Sequence, residues 1–207
     1  PGSTLFMPMS DTSEEMLGLL CIFVKNGYVI VDTETGSPAG DLSPFISSGL
    51  LNEDKVFPLS FLERATYTSS CAELSFMAHN MVLMMQAIGL GGLYFGGLNS
   101  SSVMGSPTMK DVKGLGFTFI ENEKWIVPNP VGLDGFYEGH CPPYYKDMRE
   151  AVDVVLERKF GPEGAYQPDD NGPWENASEV KGTVKPYGDE IVDCISEVAE
   201  YVLEKYG

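Results

Sequence analysis

The residue types best suited to covalent or metal chemistry are four cysteines and two histidines, and their spacing limits what they can do. Successive cysteines stand about fifty or more residues apart, and none forms a C-x-x-C pair. A structural zinc site usually needs such pairs, so we expect no metal. Each cysteine lies in or beside an apolar stretch, which is typical of reduced thiols rather than of a secreted disulfide scaffold. We therefore expect a cytoplasmic protein.

Some of these residues suggest a catalytic role. Cys71 stands at the predicted N-terminus of a helix, where the macrodipole favours the thiolate, so a thiol-dependent enzyme is one hypothesis. The alternative for Cys71 is a small apolar residue in a buried first turn. His79 falls on a narrow polar seam of the same helix, either as a general acid or as a partner in helix packing. His140 and Cys141 are adjacent on an extended stretch and point to opposite sides, so they cannot easily pair.

Residues 89–97, Gly-Leu-Gly-Gly-Leu-Tyr-Phe-Gly-Gly, form the most informative string of the sequence. A dinucleotide-binding fingerprint needs a strand before the glycines and a helix after them. Here a helix precedes the glycines and a strand is predicted at residues 93–95, which argues against a Rossmann site. Gly89 is explained by a helix C-cap. Gly96 and Gly97, at the predicted strand end, would let a flat ligand approach backbone N–H groups.

This string and the helix before it resemble the flavin-dependent nitroreductases. In that family a long helix rich in Met, Leu and Ala ends in an A-x-G-L-G type cap, which matches residues 87–91. A short strand and a turn that meets the flavin ring follow in the family, and residues 116–120 resemble its next sheet strand. The resemblance covers roughly residues 65–121.

The resemblance implies a function and a set of binding residues. The backbone of Gly96 and Gly97 would face the flavin N5, and Tyr94 and Phe95 would form the wall beside it. The expected protein is an FMN-dependent oxidoreductase that binds its flavin at a homodimer interface and transfers a hydride from NAD(P)H to a small electron-poor substrate. In such chemistry the flavin is the reagent, and the protein supplies orientation, hydrogen bonds near N5 and exclusion of water.

The residues that would bind the flavin phosphate are not evident in the sequence, which leaves a flavin-free alternative open. The family's arginine-and-serine segment, which clamps that phosphate, has no counterpart before the first predicted helix. Arg64, or Lys110 and Lys113 in the later loop, could take its place. The net charge of −17, from 13 basic and 30 acidic residues, favours the alternative of a flavin-free nitroreductase-like scaffold. Such a scaffold would act as a dimeric binding or interaction module.

The same acidic balance argues against other classes of partner. It predicts a surface that repels phosphate backbones and anionic membranes, so we expect neither nucleic-acid nor membrane binding. No segment reaches the roughly 18 consecutive apolar residues of a transmembrane helix. Residues 1–7 lack the basic region and the apolar run of a signal peptide. The sequence does not begin with Met, so we expect a piece of a longer protein.

The elements that would position these residues mix helices with a few strands, without the regular alternation of a doubly wound sheet. The sequence therefore predicts an α+β, nitroreductase-like fold. The central helix, over residues 71–89, is apolar around nearly its whole circumference and should be buried. It would pack on a small, mainly antiparallel sheet that includes residues 117–120 and 125–127.

We expect two regions along the chain. Residues 1–140 would form the nitroreductase-like core, and residues 141–207 a C-terminal extension of extra helices. Within the extension, residues 161–188 are rich in Pro, Gly, Asp and Asn and predict a long loop. The last helix should begin near Asp189 and bury one apolar stripe.

Overall fold

The computed structural model describes residues 2–167 and 174–207, which form two compact units. Unit 1 contains residues 2–12 and 65–139. Unit 2 contains residues 13–64 and the described part of 140–207. In chain order the elements are α1 (Thr12–Lys25), β1 (Tyr28–Val31), α2 (Ser43–Ser47), β2 (Asn52–Pro58), α3 (Leu59–Ala87), α4 (Ser100–Met104), β3 (Thr118–Ile120), β4 (Asn129–Leu133), β5 (Tyr137–Glu138), α5 (Met148–Phe160), α6 (Ala177–Gly182) and α7 (Asp189–Tyr206).

Unit 2 is built around one apolar core. α1 contributes Leu17, Leu20, Cys21 and Val24, whose spacing of three or four residues places them on one helix face. α5 and α7 pack against each other and supply the C-terminal half of the same core. The buried residues of β1 join it from a two-stranded parallel sheet, in which β1 pairs with β2.

The two long helices at the C-terminal end of unit 2 begin at clear sequence signals. At α5, the Asp147 carboxylate accepts a hydrogen bond from the backbone N–H of Glu150 at 2.9 Å, as an N-cap aspartate should. α7 starts after Gly188 with Asp189 and Glu190 in its first turn and carries Lys205 in its last turn. These charges oppose the helix macrodipole at both ends, which stabilises the helix.

Unit 1 combines most of α3 with the short helix α4 and a three-stranded sheet. The sheet has the order β3–β4–β5 and is antiparallel, with Phe119 opposite Pro130 and Leu133 opposite Tyr137. Asn99 caps the N-terminus of α4, because its side chain accepts a hydrogen bond from Ser102 N at 3.1 Å.

The α+β class predicted from the sequence is confirmed by this mixture of helices and strands. The sheet prediction needs correction in two respects. One of the two sheets, β1–β2, is parallel, and residues 125–127 lie in the loop before β4 rather than in a strand. Residues 93–95 also belong to no strand. In the part of the chain that the structure describes, neither apolar segment pairs with a neighbouring strand, and the side-chain pattern alone could not reveal that.

The central helix is longer and more exposed than predicted. It begins at Leu59, twelve residues before the expected start, and only residues near its N-terminal end are buried. From Cys71 to Ala87 no residue of α3 is buried. The prediction of a buried helix is therefore wrong for the single chain, because the other described elements cover only the beginning of this apolar cylinder.

A boundary between the two units falls after residue 139, next to the predicted one at residue 140, but residues 13–64 group with the C-terminal region rather than with the predicted core. Residues 13–64 share their core with residues 140–207, because α1, β1 and the first turn of α3 pack with α5 and α7. The C-terminal region is thus half of a core rather than an added extension. The predicted loop at 161–188 contains α6, and its residues 168–173 lie outside the described residues.

No helix in the described part of the chain is both long and apolar enough to cross a lipid bilayer.

A buried carboxylate ties β1 to the last turn of α7. Asp32 is 1% exposed and accepts hydrogen bonds from Tyr201 Oη at 2.6 Å, from Tyr206 Oη at 3.0 Å and from Lys205 Nζ. Burial raises the pKa of Asp32, but hydrogen bonds from Lys205, Tyr201, the Glu34 backbone and Tyr206 outweigh it, so this pKa lies well below its usual range. We call these four side chains, Asp32, Tyr201, Lys205 and Tyr206, the Asp32 cluster.

Because the folded-state pKa of Asp32 is lowered, its contribution to stability is present above the unfolded-state pKa of about 3.9 and is lost as the pH falls below it. We expect Asp32→Asn to lower the free energy of unfolding near neutral pH by about 2–3 kcal/mol, typical of hydrogen bonds to a charged group. The variant should also lose less stability than the wild type between neutral pH and about pH 3. Urea unfolding at the two pH values measures both effects.

The control for this prediction is Asp54→Asn, which changes an exposed aspartate of β2. It should alter the free energy of unfolding by less than about 0.5 kcal/mol. Equal losses in the two variants would contradict a special role for the Asp32 cluster.

Candidate functional site

The main candidate site is a groove in unit 1, which we call the α3 groove. Its volume is about 400 Å³, at the lower end of the range for small-molecule sites. It lies between the C-terminal part of α3, residues 4–8 and residues 91–96. The groove is lined by Thr4, Leu5, Phe6, Pro8, Ala78, Met81, Val82, Met85, Gly91, Gly92, Leu93, Tyr94, Phe95 and Gly96.

The helix side of the groove follows from residue spacing. Ala78, Met81, Val82 and Met85 recur at intervals of three, one and three residues, which places them on one side of α3. They are small or unbranched apolar residues apart from Val82, so this wall is smooth and uncharged. A flat apolar ligand fits such a wall better than a branched or charged one.

The turn that leads from α3 into the opposite wall is a Schellman motif. Gly89 has a φ of +77°, and Leu90 N donates to Met85 O at 2.8 Å while Gly89 N donates to Gln86 O at 3.1 Å. A residue with a side chain would be strained at this φ, so Gly89 is required by the turn. The sequence interpretation of Gly89 as a helix C-cap is confirmed. The turn directs the chain back along the end of α3.

Residues 91–98 then run without regular secondary structure. Within the described chain, none of them makes a backbone-to-backbone hydrogen bond. Leu93, Tyr94 and Phe95 are 78%, 61% and 63% exposed. The segment therefore offers a ligand exposed aromatic rings to stack on and backbone N–H groups that can donate hydrogen bonds.

The structure brings three of the five predicted flavin-binding residues together. Tyr94, Phe95 and Gly96 all line the α3 groove, and a Cβ added to Gly96 would meet no atom within 4 Å. Gly97 is outside the lining, and a Cβ there would lie 2.7 Å from Cζ of Phe95. Arg64 is also outside the lining; it belongs to the α3 residues of unit 2, where its Nε donates to Ser60 O at 3.2 Å.

The described lining of the α3 groove is uncharged. Among its described residues there is no lysine, arginine, histidine, aspartate or glutamate. The hydroxyl groups of Thr4 and Tyr94 are its polar side-chain atoms. Such a surface can bind and orient a ring and keep water away from it, but a reaction would depend on a group that the ligand brings.

Sequence reasoning missed the contribution of residues 4–8 to the site. Phe6 and its neighbours line the α3 groove although they stand more than seventy residues before α3's groove-facing side chains. This segment is short and mainly apolar, and its apolar residues show no helical or strand periodicity. No local signal in the sequence connects such a segment with a distant helix, so only the folded chain reveals the contact.

The structure changes the argument for Cys71. Cys71 lies in the interior of α3, twelve residues after its first residue, so the macrodipole effect expected at a helix N-terminus does not apply. Its thiol is exposed, and its hydrogen bond with the Tyr67 side chain, one turn earlier, raises the pKa of Tyr67. His79 is exposed on the same helix and is outside the groove lining.

His140 occupies a different setting, in unit 2. It is 2% exposed, its ring stacks on Tyr145 with centroids 5.3 Å apart, and its Nδ1 lies 3.9 Å from a carboxylate oxygen of Glu14. Arg158 also pairs with Glu14, at 3.3 Å. These contacts fit a packed structural histidine.

Comparisons with models of known protein families, with curated proteins and with solved structures give no match to this chain.

We expect thiol reactivity to follow the exposures in this structure. A disulfide reagent such as DTNB at about pH 8 should modify Cys71 first, because Cys71 is the exposed thiol among the four cysteines. Cys21 and Cys194 should react only on unfolding, since burial both blocks access and raises the pKa of each thiol, for Cys194 to about 12. Stopped-flow absorbance measures the phases.

The matched variants are Cys71→Ser and Cys194→Ser. The first should remove the fastest phase, and the second should leave it unchanged. A fast phase that survives in Cys71→Ser would show that the exposure of α3 differs from that in the structure.

Proposed function

We propose that the chain is a flavin-dependent oxidoreductase of nitroreductase type, in which the α3 groove holds the flavin ring. The observation that supports this most strongly is that the consecutive residues Tyr94, Phe95 and Gly96 line a groove together with residues 4–8 and the end of α3. They belong to the glycine-rich string that resembles the nitroreductases. FMN is the flavin that the nitroreductase resemblance implies, with NAD(P)H as hydride donor.

The lining fits the ring of a flavin. Tyr94 and Phe95 offer exposed aromatic faces, on which a flat conjugated ring can stack. The open space at Gly96 leaves room for a ring edge to reach the backbone N–H groups of residues 91–96. Met81 and Val82 supply an apolar wall that excludes water.

The chemistry in this proposal is divided between cofactor and protein. A bound flavin would supply hydride transfer to a small electron-poor substrate. The chain's own residues would orient the ring, donate backbone hydrogen bonds to its polar edge and limit access of water. No acid or base in the lining is required for such a role.

We further propose that the protein is a homodimer through the exposed apolar face of α3. That face consists of Phe76, Leu83 and Met84, which are 70%, 50% and 63% exposed, and it also carries the exposed Asn80. At 100° per residue, these side chains point away from the side that carries Ala78, Met81, Val82 and Met85. A helix side that exposes several large apolar residues, as this one does around Asn80, is typical of an interface.

A second candidate function is a flavin-free dimeric binding module. The observation that favours it is the lack of any basic side chain in the described lining of the α3 groove, where a flavin phosphate would need one. In that case the groove would bind an apolar ligand or peptide segment without redox chemistry.

Reconstitution separates the two candidate functions. We expect the purified protein, after incubation with excess flavin and desalting, to keep absorbance bands near about 370 and 450 nm and to oxidise NAD(P)H. Gly96→Val should weaken flavin retention at least about tenfold, since the new side chain occupies open groove space without striking the protein. Absorbance spectra and nicotinamide oxidation rates are the measurements.

The control is Gly182→Val, at an equally open and exposed position on α6. It should retain flavin like the wild type. A colourless protein after reconstitution would contradict the oxidoreductase and favour the flavin-free module.

The dimer prediction is tested with charge on the apolar face. We expect light scattering at micromolar concentration to give twice the mass of one chain. The double variant Phe76→Asp/Met84→Asp should give a single-chain mass, because two carboxylates cannot be desolvated in an apolar interface. Ile22→Asp, which changes an exposed apolar residue of α1, is the control and should stay dimeric. A monomeric wild type would contradict the proposal.

A further inference from the structure

We propose that the α3 groove recognises its ligand by the ring alone and binds an uncharged flavin, such as riboflavin, at least as tightly as FMN. This inference rests on the proposed function, because it concerns the same groove and the same ring. It replaces one part of the expectation from resemblance, namely that the flavin is held by its phosphate. Three observations on unit 1 support it.

The first observation is the composition of the groove. A phosphate dianion removed from water needs Lys or Arg partners or several N–H donors, and charge-assisted contacts of this kind dominate phosphate recognition. The described lining carries no basic residue, and its polar side-chain groups are the hydroxyls of Thr4 and Tyr94. A phosphate within the groove would therefore lose hydration without a charged partner in return.

The second observation is the direction of α3. The groove lies against its C-terminal turns, as the lining residues Val82 and Met85 show, and α3 is 29 residues long. The C-terminal end of a helix carries partial negative charge, whereas phosphates bind at N-terminal ends. The last turn of α3 contains no basic residue that would neutralise this charge. The helix end therefore disfavours an anion beside the groove.

The third observation is the charge of unit 1 itself. Its basic side chains are Lys110, Lys113 and Lys124, against seven acidic residues, and all three lysines are outside the groove lining. A second copy docked on the exposed face of α3 would cover a different side of the helix from the groove. The field around the groove thus favours an uncharged ring over one that carries a dianion.

The test compares riboflavin with FMN on the full chain. Both flavins are titrated with protein, and the quenching of flavin fluorescence gives each Kd at about 50 mM and about 300 mM NaCl. We expect the riboflavin Kd to be equal to or lower than the FMN Kd. Any preference for riboflavin should shrink at the higher salt concentration, because salt screens the repulsion of the phosphate.

A charge variant sharpens the comparison. Gln86 lies in the last turn of α3, next to Met85 of the lining, and is itself exposed. Gln86→Lys should tighten FMN binding several-fold at low salt and leave riboflavin binding unchanged. Glu123→Gln makes the same change in net charge in the loop between β3 and β4, outside the lining, and should alter neither Kd.

The outcomes separate this inference from the proposed function. FMN binding that is tighter than riboflavin binding at either salt concentration would overturn the inference and leave the flavin oxidoreductase standing. Failure of both flavins to bind would overturn the inference and the proposed function together. Riboflavin binding equal to or tighter than FMN binding, with a response to Gln86→Lys that is confined to FMN, would support both.

Discussion

The structure of unit 1 depends on one constraint: α3 is apolar on nearly every side, and apolar side chains on every side of a helix must be covered. The core of unit 2 covers its first turn, through Leu59 and Leu62. From Cys71 to Ala87 the described part of the chain leaves every residue of the helix at least partly exposed. One side of the helix is left to line the groove, and another side is left as an open apolar face. In the two proposals, a bound ligand would cover one of these exposed apolar sides of α3, and a second copy of the chain would cover the other.

The two units differ in how they use charge. In unit 2, carboxylates form hydrogen bonds and ion pairs within and between elements of the fold. Examples are the Asp32 cluster and the pairing of Arg149 with both Asp153 and Asp193. Unit 1 keeps charged side chains out of its groove altogether. Unit 2 thus combines an apolar core with paired carboxylates, whereas the groove that we propose as a ligand site in unit 1 is lined by uncharged side chains.

The sequence alone predicted those parts of the molecule that depend on local patterns. The α+β class and the helix C-cap at Gly89 followed from the mixture of predicted elements and from glycine position. The flavin-binding role of Tyr94, Phe95 and Gly96 was implied by the resemblance to the nitroreductases and stays a prediction. The early start of α3, the role of Phe6 and the shared core of residues 13–64 with residues 140–207 could not be predicted. Each of these depends on contacts between segments distant in sequence, which leave no local periodicity. The burial of α3 was predicted wrongly for a related reason: an apolar pattern shows that a helix should be covered, and it does not show which chain covers it.

The Asp32 cluster has a consequence for the newly made chain. Asp32 and Lys205 are 173 residues apart, and the larger segment of unit 1, residues 65–139, is inserted in the sequence between the two halves of unit 2. At a synthesis rate of about 5–20 residues per second, roughly 10–35 s pass between the synthesis of Asp32 and that of Lys205. During that interval α1 and β1 have been made but lack α5 and α7, so their apolar surface is open to chaperones. Residues 65–139 of unit 1 are made within this interval and residues 2–12 before it, so all of unit 1 has been made while unit 2 is still incomplete.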